Sequence, residues 1–106
     1  MSVNTSLSND RLHICINGTL GNAIHREFRA AYETSKVSKF TIDLNKASNI
    51  DSSGLGMLLL LRDFAGGDNS DIEIIHCSDY VLDIFRVTCF FRLFNIPEYN
   101  KKAANQ

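Results

Sequence analysis

The sequence predicts an α/β fold: a mixed, mainly parallel β-sheet of four or five strands packed with three or four helices. Two patterns carry this. Period-two apolar stretches alternate along the chain with helical ones, in the order strand, helix, strand, helix, strand, helix. The connections are short, and those within 39–77 suit parallel strands joined by right-handed crossovers. A length of 106 residues sets the scale at one domain, 1–106, with a core over about 10–96 and a polar tail at 97–106.

Each element has its own signal. Residues 1–10, MSVNTSLSND, are polar and hold at most a short edge strand. In RLHICIN (11–17), Leu12, Ile14 and Ile16 alternate with Arg11, His13, Cys15 and Asn17, as in a half-buried strand, and Gly18 marks a turn. Over 20–35, Ala23, Ile24, Phe28, Ala31 and Tyr32 share one helical face, with Arg26, Glu27, Arg29 and Glu33 outside it. KFTIDLN (39–45) reads as a strand. Asp51 and Ser52 are both good N-cap residues, and the helix they open should stop near Gly66-Gly67. DIEIIHC (71–77) reads as a strand. Ser78 opens a helix over 78–88 with Val81, Leu82 and Phe85 on one face. FRLFNI (91–96) is a last short strand or a turn before Pro97.

Composition narrows the function. Hydrophobic residues make up 44%, charged residues 22%, and the net charge is −1. With no basic surplus, neither nucleic acid nor an anionic membrane is an expected partner. The longest apolar run, Leu55–Leu61, is broken by Gly56 and is too short to insert through a bilayer. No N-terminal stretch reads as a signal peptide, so the expected location is cytoplasmic. Cys15, Cys77 and Cys89 are odd in number and fit no CxxC or zinc pattern, so reduced, buried thiols are expected. His13, His25 and His76 show no ligand spacing; no metal and no cofactor are expected.

The stretch NIDSSGLGMLLLL (49–61) concentrates the chemistry. A serine before a helix can cap it, a contribution of about 1 kcal/mol. A phosphate-cradling loop would need Gly-Lys-Ser/Thr, which does not follow. A hydrolase elbow would need Gly two residues before Ser52, where Ile50 stands. Asp51 either caps the turn or orients the serine hydroxyl. Gly54 and Gly56 suit packing against the sheet and also leave the approach to Ser52 clear. At about 100° per residue, Leu55, Leu58 and Leu59 share one side and Met57, Leu60, Leu61 and Phe64 lie on the other. Apolar residues on both sides imply that one meets the sheet and the other meets something else. Leu61 is expected under neighbouring chain, and Leu60 and Phe64 at a partner surface with Gly56 and Met57. Arg62 falls near Leu55 and is expected to snorkel past the helix edge.

TIDLNKASNIDSSGLGMLL resembles the signature of the STAS domain, shared by bacterial anti-sigma factor antagonists and sulfate-transporter tails. NGTL (17–20) resembles the family's Gly-x-Leu turn, CSDYVLDIF its third helix start, and FRLFNI its closing Leu-Phe-x-Ile; together they cover roughly 10–96. In antagonists of this family the first Ser of Asp-Ser-Ser-Gly accepts a phosphate, which here implies Ser52, supported by Asp51, Ser53 and Gly54. The resemblance implies a binding protein, not an enzyme. The unphosphorylated form would bind a serine kinase of histidine-kinase-like fold that doubles as an anti-sigma factor. Phosphorylation would block binding, and a PP2C-type phosphatase would reset it. Some small STAS proteins serve instead as accessory subunits of ABC-type lipid-transport complexes, which is the alternative implied. Three positions depart from the pattern: Gly21 stands where many antagonists carry Asp, Asp79 where Pro opens the third helix, and Cys89 where Gly follows it.

Overall fold

The computed structural model describes residues 2–99. In chain order the elements are β1 (Ser2–Ser8), β2 (Arg11–Leu20), α1 (His25–Glu33), β3 (Lys39–Asp43), β4 (Ala47–Ile50), α2 (Ser52–Phe64), β5 (Asp71–Ile75) and α3 (Asp79–Val87). The strands form one sheet in the order β1-β2-β3-β5, with β4 also paired to β2. Among the described residues only the β1–β2 pair is antiparallel; β2–β3, β3–β5 and β2–β4 are parallel. This is the mixed, mainly parallel α/β sheet that the alternating pattern predicts.

The terminal strand is longer than its polar composition suggests. All seven residues from Ser2 to Ser8 pair with β2. Asn9 and Asp10 connect the two strands with φ of 52° and 66°. Two successive positive φ values are what the tight hairpin turn of a right-twisted ladder needs, and Asn and Asp tolerate them.

Strand β2 does not turn at Gly18 but bends there. Its first half pairs with β3 and its last residues with β4, and the register shifts between Gly18 and Thr19. Gly18 has φ 98°, which a glycine adopts without cost, and its N–H reaches the Lys46 carbonyl at 3.0 Å. The extension of β2 to Leu20 delays the first helix: a 3-10 turn at Asn22–Ile24 precedes α1. Strand β4 was not evident in the sequence, because ASNI offers only Ile50 as a buried position.

One face of the sheet carries the core. Leu12, Ile14, Ile16, Phe40, Ile42, Ile72 and Ile74 are buried with Phe28 and Tyr32 of α1, Leu58 and Leu61 of α2, and Val81, Leu82 and Phe85 of α3. The other face is polar and pairs with itself. Arg11 donates to the Asp71 carboxylate at 2.7 Å and to the Phe40 carbonyl at 2.8 Å. The Asp43 carboxylate lies between two imidazoles, 3.0 Å from His13 Nε2 and 2.9 Å from His76 Nδ1.

Helix α3 begins at a Ser78 cap whose Oγ accepts the Val81 N–H at 3.2 Å. Asp79 in its first turn suits the positive end of the helix. At its other end Cys89 adopts φ 61°, the left-handed conformation that glycine usually supplies there, at a strain of roughly 1–2 kcal/mol. Cys89 is exposed, against the expectation of a buried thiol, because this helix-ending position faces solvent. Cys77 is half-buried, and burial, followed by the nearby Glu98 charge, pushes its thiol up to about 12.

Residues 91–96 form no full strand. A 3-10 turn at Phe90–Arg92 leads to Asn95, which exchanges backbone bonds with Ile72 and Ile74 at 3.0 and 2.8 Å and so covers the β5 edge. The chain stays attached past Pro97. Residues 97–99 are helical, Tyr99 stacks on Phe91 at 4.5 Å, and the Glu98 carboxylate accepts the Cys77 N–H. The rest of the polar tail, 100–106, lies outside the described residues.

The two glycines of α2 should respond oppositely to alanine. A Cβ at Gly54 would fall 2.0 Å from the Leu20 carbonyl oxygen, whereas one at Gly56 would meet nothing within 4 Å. Gly54→Ala is expected to cost about 1–3 kcal/mol in urea unfolding. Gly56→Ala should gain roughly 0.5–1 kcal/mol from helix propensity.

Candidate functional site

The expected site residues all lie on α2 or just before it, at its start, along its outer side and, for Gly54 and Met57, on its buried side. The chain arrives from β4, whose Ile50 pairs with Leu20, and the Asp51 N–H bonds the Leu20 carbonyl at 3.3 Å. Asp51, not a serine, is the cap: its Oδ1 accepts the Gly54 N–H at 3.0 Å. A carboxylate at this place satisfies an orphan donor and meets the positive end of the helix dipole. Its position depends on Gly21, where a Cβ would lie 2.4 Å from Asp51 Oδ2. The departure from the family pattern at Gly21 thus has a physical consequence: the space is filled by the Asp51 carboxylate.

Ser52 is the first helical residue. Both it and Ser53 are exposed, and neither takes part in the cap. Capping and display, which the sequence allows at one serine, are divided between two residues. Asp51 caps, and the Ser52 hydroxyl is presented to solvent over the helix terminus. Gly54 is buried and packs against Leu20, as expected. Gly56 does not pack on the sheet; it sits half-buried on the outer side with open space over it.

The leucine run divides along a different line from the one predicted. Gly54, Met57, Leu58 and Leu61 form the inward stripe. Met57, expected at the partner surface, is 3% exposed and belongs to the core. Leu59, grouped with the sheet side in the sequence, faces outward at 42% exposure, beside Leu60 at 49% and Phe64 at 48%. The helical-wheel division was rotated because the inward direction is set by the Gly54 contact, which only the fold reveals. Phe64 is also held in place: its ring lies 5.1 Å from that of Tyr32 on α1. Arg62 does more than snorkel. Its Nη2 meets the Asp68 carboxylate at 2.6 Å and its Nε the Leu93 carbonyl at 3.3 Å, tying α2 to the closing segment.

A shallow cleft of about 370 Å³ lies between the start of α1 and α2, lined by Asn22, His25, Ser53, Gly56, Met57 and Leu60. Asp43 is engaged on the polar sheet face, between His13 and His76. Burial pushes its carboxyl up, but bonds from the Asn45 N–H, His76 and His13 outweigh this and hold it below the ordinary value. The same bond to Asp43 raises His76, against a small opposing effect of burial. Among the described residues, no cluster of His, Cys, Asp or Glu is placed to hold a metal ion. No helix among them is long and apolar enough to cross a membrane.

The family profile described as "Mlab, STAS domain" matches residues 3–93. The chain belongs to the STAS domain family. It is 42% identical over 93 residues to the STAS-domain containing protein PA14_20770 of Pseudomonas aeruginosa strain UCBPP-PA14, spanning 86% of this chain and 92% of that one. Its fold is similar to that of an anti-sigma factor antagonist from Mycobacterium paratuberculosis, with a TM-score of 0.76, 14% identity, and coverage of 90% and 83% of the two chains. It is similar also to the phosphorylated form of the Bacillus cell fate determinant SpoIIAA, with a TM-score of 0.66, 14% identity and 98% coverage of both. This STAS domain accordingly has the fold of the anti-sigma factor antagonists.

Two measurements follow. Asp51→Ala should lose about 1 kcal/mol in urea unfolding, while Ser52→Ala stays within about 0.5 kcal/mol of the parent. The Asp43–His76 pair also sets a pH dependence. His76 is raised in the fold, so its contribution is complete below its ordinary value of 6.5 and fades as pH rises through the raised one. Asp43 is lowered, so its contribution holds above its ordinary value of 3.8 and fades as pH falls through the lowered one. The urea midpoint should therefore decline above pH 6.5, modestly because His76 is exposed, and His76→Gln should flatten that decline.

Proposed function

We propose that this STAS domain is a regulatory binding protein that acts as a phospho-switch of the anti-sigma factor antagonist kind. The observation that carries the reading is the exposed Ser52 at the first turn of α2, the helix that also leaves Leu59, Leu60 and Phe64 uncovered further along. In the unphosphorylated form, this surface docks on a serine kinase of histidine-kinase-like fold that is also the anti-sigma factor. Phosphorylation of Ser52 ends the docking, and a PP2C-type phosphatase restores it. The chain itself performs no catalysis and works in the cytoplasm.

The physics of the site supports an outward action. A phosphoserine adds roughly −1.5 to −2 charge. At the N-terminus of a helix that charge is tolerated by the dipole and the free N–H groups. Because Asp51 already supplies the cap, modifying Ser52 removes no hydrogen bond from the fold. What changes is the surface: an anion next to Asp51 on the helix that carries the exposed apolar residues, unfavourable to bury against a partner. The existence of a phosphorylated form of SpoIIAA, a protein of similar fold, is consistent with such a site.

The test is binding of the cognate kinase by calorimetry, alongside thermal melting of each variant. Wild type and Ser52→Ala should bind. Ser52→Asp and Leu60→Lys should bind at least about tenfold more weakly, a loss of roughly 1.4 kcal/mol, with unchanged melting. Full binding by Ser52→Asp, or its unfolding, would overturn the reading. Capture of an ABC ATPase with Ser52 unmodified would support the accessory-subunit alternative instead.

A further inference from the structure

The two ends of the sheet are treated differently. The β5 edge is covered by Asn95, which takes up the Ile72 and Ile74 backbone groups. At the other end β1 is the terminal strand and, among the described residues, is paired on one side only, to β2. Natural sheets usually blunt such an edge with charge, proline, a bulge or brevity. Strand β1, SVNTSLS, is seven residues long, has neither a charge nor a proline, and pairs with β2 in unbroken register. Residues 4–8 are all exposed, and Leu7 is 65% exposed.

The strand is also self-complementary. An antiparallel pair of two copies related by a two-fold axis at Thr5 uses every residue of β1. It sets Ser2 against Ser8, Val3 against Leu7, Asn4 against Ser6, and Thr5 against its own copy. The faces match as well. Val3, Thr5 and Leu7 lie opposite Ile16, Ile14 and Leu12 of β2, on the core side of the sheet, whereas Asn4 and Ser6 lie opposite Cys15 and His13 on the polar side. Pairing would therefore put each exposed Leu7 beside the partly buried Val3 of the other copy, and polar residues beside polar ones. Cross-strand apolar pairs of this kind stabilise a ladder, and no like charges oppose each other.

We infer that β1 is a homodimerisation edge, through which two copies of this chain join their sheets antiparallel about Thr5. The occupant is a second copy because the side-chain register fits itself along the whole strand. A single pair of strands is a small interface, so the dimer forms at high protein concentration. The inference is independent of the Ser52 reading, since β1 contains none of the residues of that surface.

Sedimentation equilibrium over a series from micromolar to millimolar protein tests it. The apparent mass should rise from 11.9 kDa toward twice that value. Thr5→Lys puts two cations on the axis and should raise the dissociation constant at least about tenfold. Thr5 is exposed on an edge strand, so melting should confirm that this variant folds. Thr5→Val and Leu60→Lys should leave the dimer intact. A single 11.9 kDa species throughout the series would overturn the inference, as would a dimer indifferent to both Thr5→Lys and Leu7→Lys.

Discussion

The contact between Gly54 and the Leu20 carbonyl fixes the geometry of the rest of the site. Any side chain at 54 would occupy the space of that carbonyl, so α2 can approach the end of β2 only with glycine there. The approach fixes the rotation of α2 about its own axis. It turns Met57, Leu58 and Leu61 inward and leaves Leu59, Leu60 and Phe64 outside. The same seating brings the Asp51 carboxylate against Gly21 and leaves Ser52 uncovered. Cap, displayed serine and apolar surface are thus consequences of one close backbone approach.

A helix with apolar residues on its outer side as well as its inner one needs anchoring, because its exposed leucines gain little from their position. Here the anchors are polar or aromatic and sit away from the serine. Arg62 joins α2 to Asp68 and to the Leu93 carbonyl, and Phe64 leans on Tyr32. They hold the far end while the Asp51 cap holds the near one. The exposed patch between them is therefore presented by a fixed helix, which suits recognition without a large ordering cost.

The strands and helices with strong periodicity were legible because burial imposes that periodicity: Leu12, Ile14 and Ile16 alternate, and Val81, Leu82 and Phe85 cluster. Strand β4 and the full length of β1 were not, because both owe their pairing to backbone bonds and bury few side chains. The Asn9-Asp10 hairpin turn was a local signal that could have extended the edge strand. In the site, the identity of the exposed serine and of Leu60 and Phe64 could be inferred from motif and helix arithmetic. Met57 and Leu59 were exchanged, since the inward direction depends on Gly54 meeting Leu20, a contact between residues far apart in sequence. The role of Gly21 was illegible for the same reason: its neighbour, Asp51, is brought there by the β2–β4 pairing.

In the proposed switch, charge placed at Ser52 changes what the domain binds and leaves the domain itself intact. The most direct measurement is peptide mapping of the protein after incubation with its cognate kinase and ATP, paired with the melting curve of the purified product. One phosphate is expected, on Ser52, with a melting temperature unchanged from the unmodified protein. A phosphate on another residue, no phosphate at all, or a product that melts markedly earlier would contradict it.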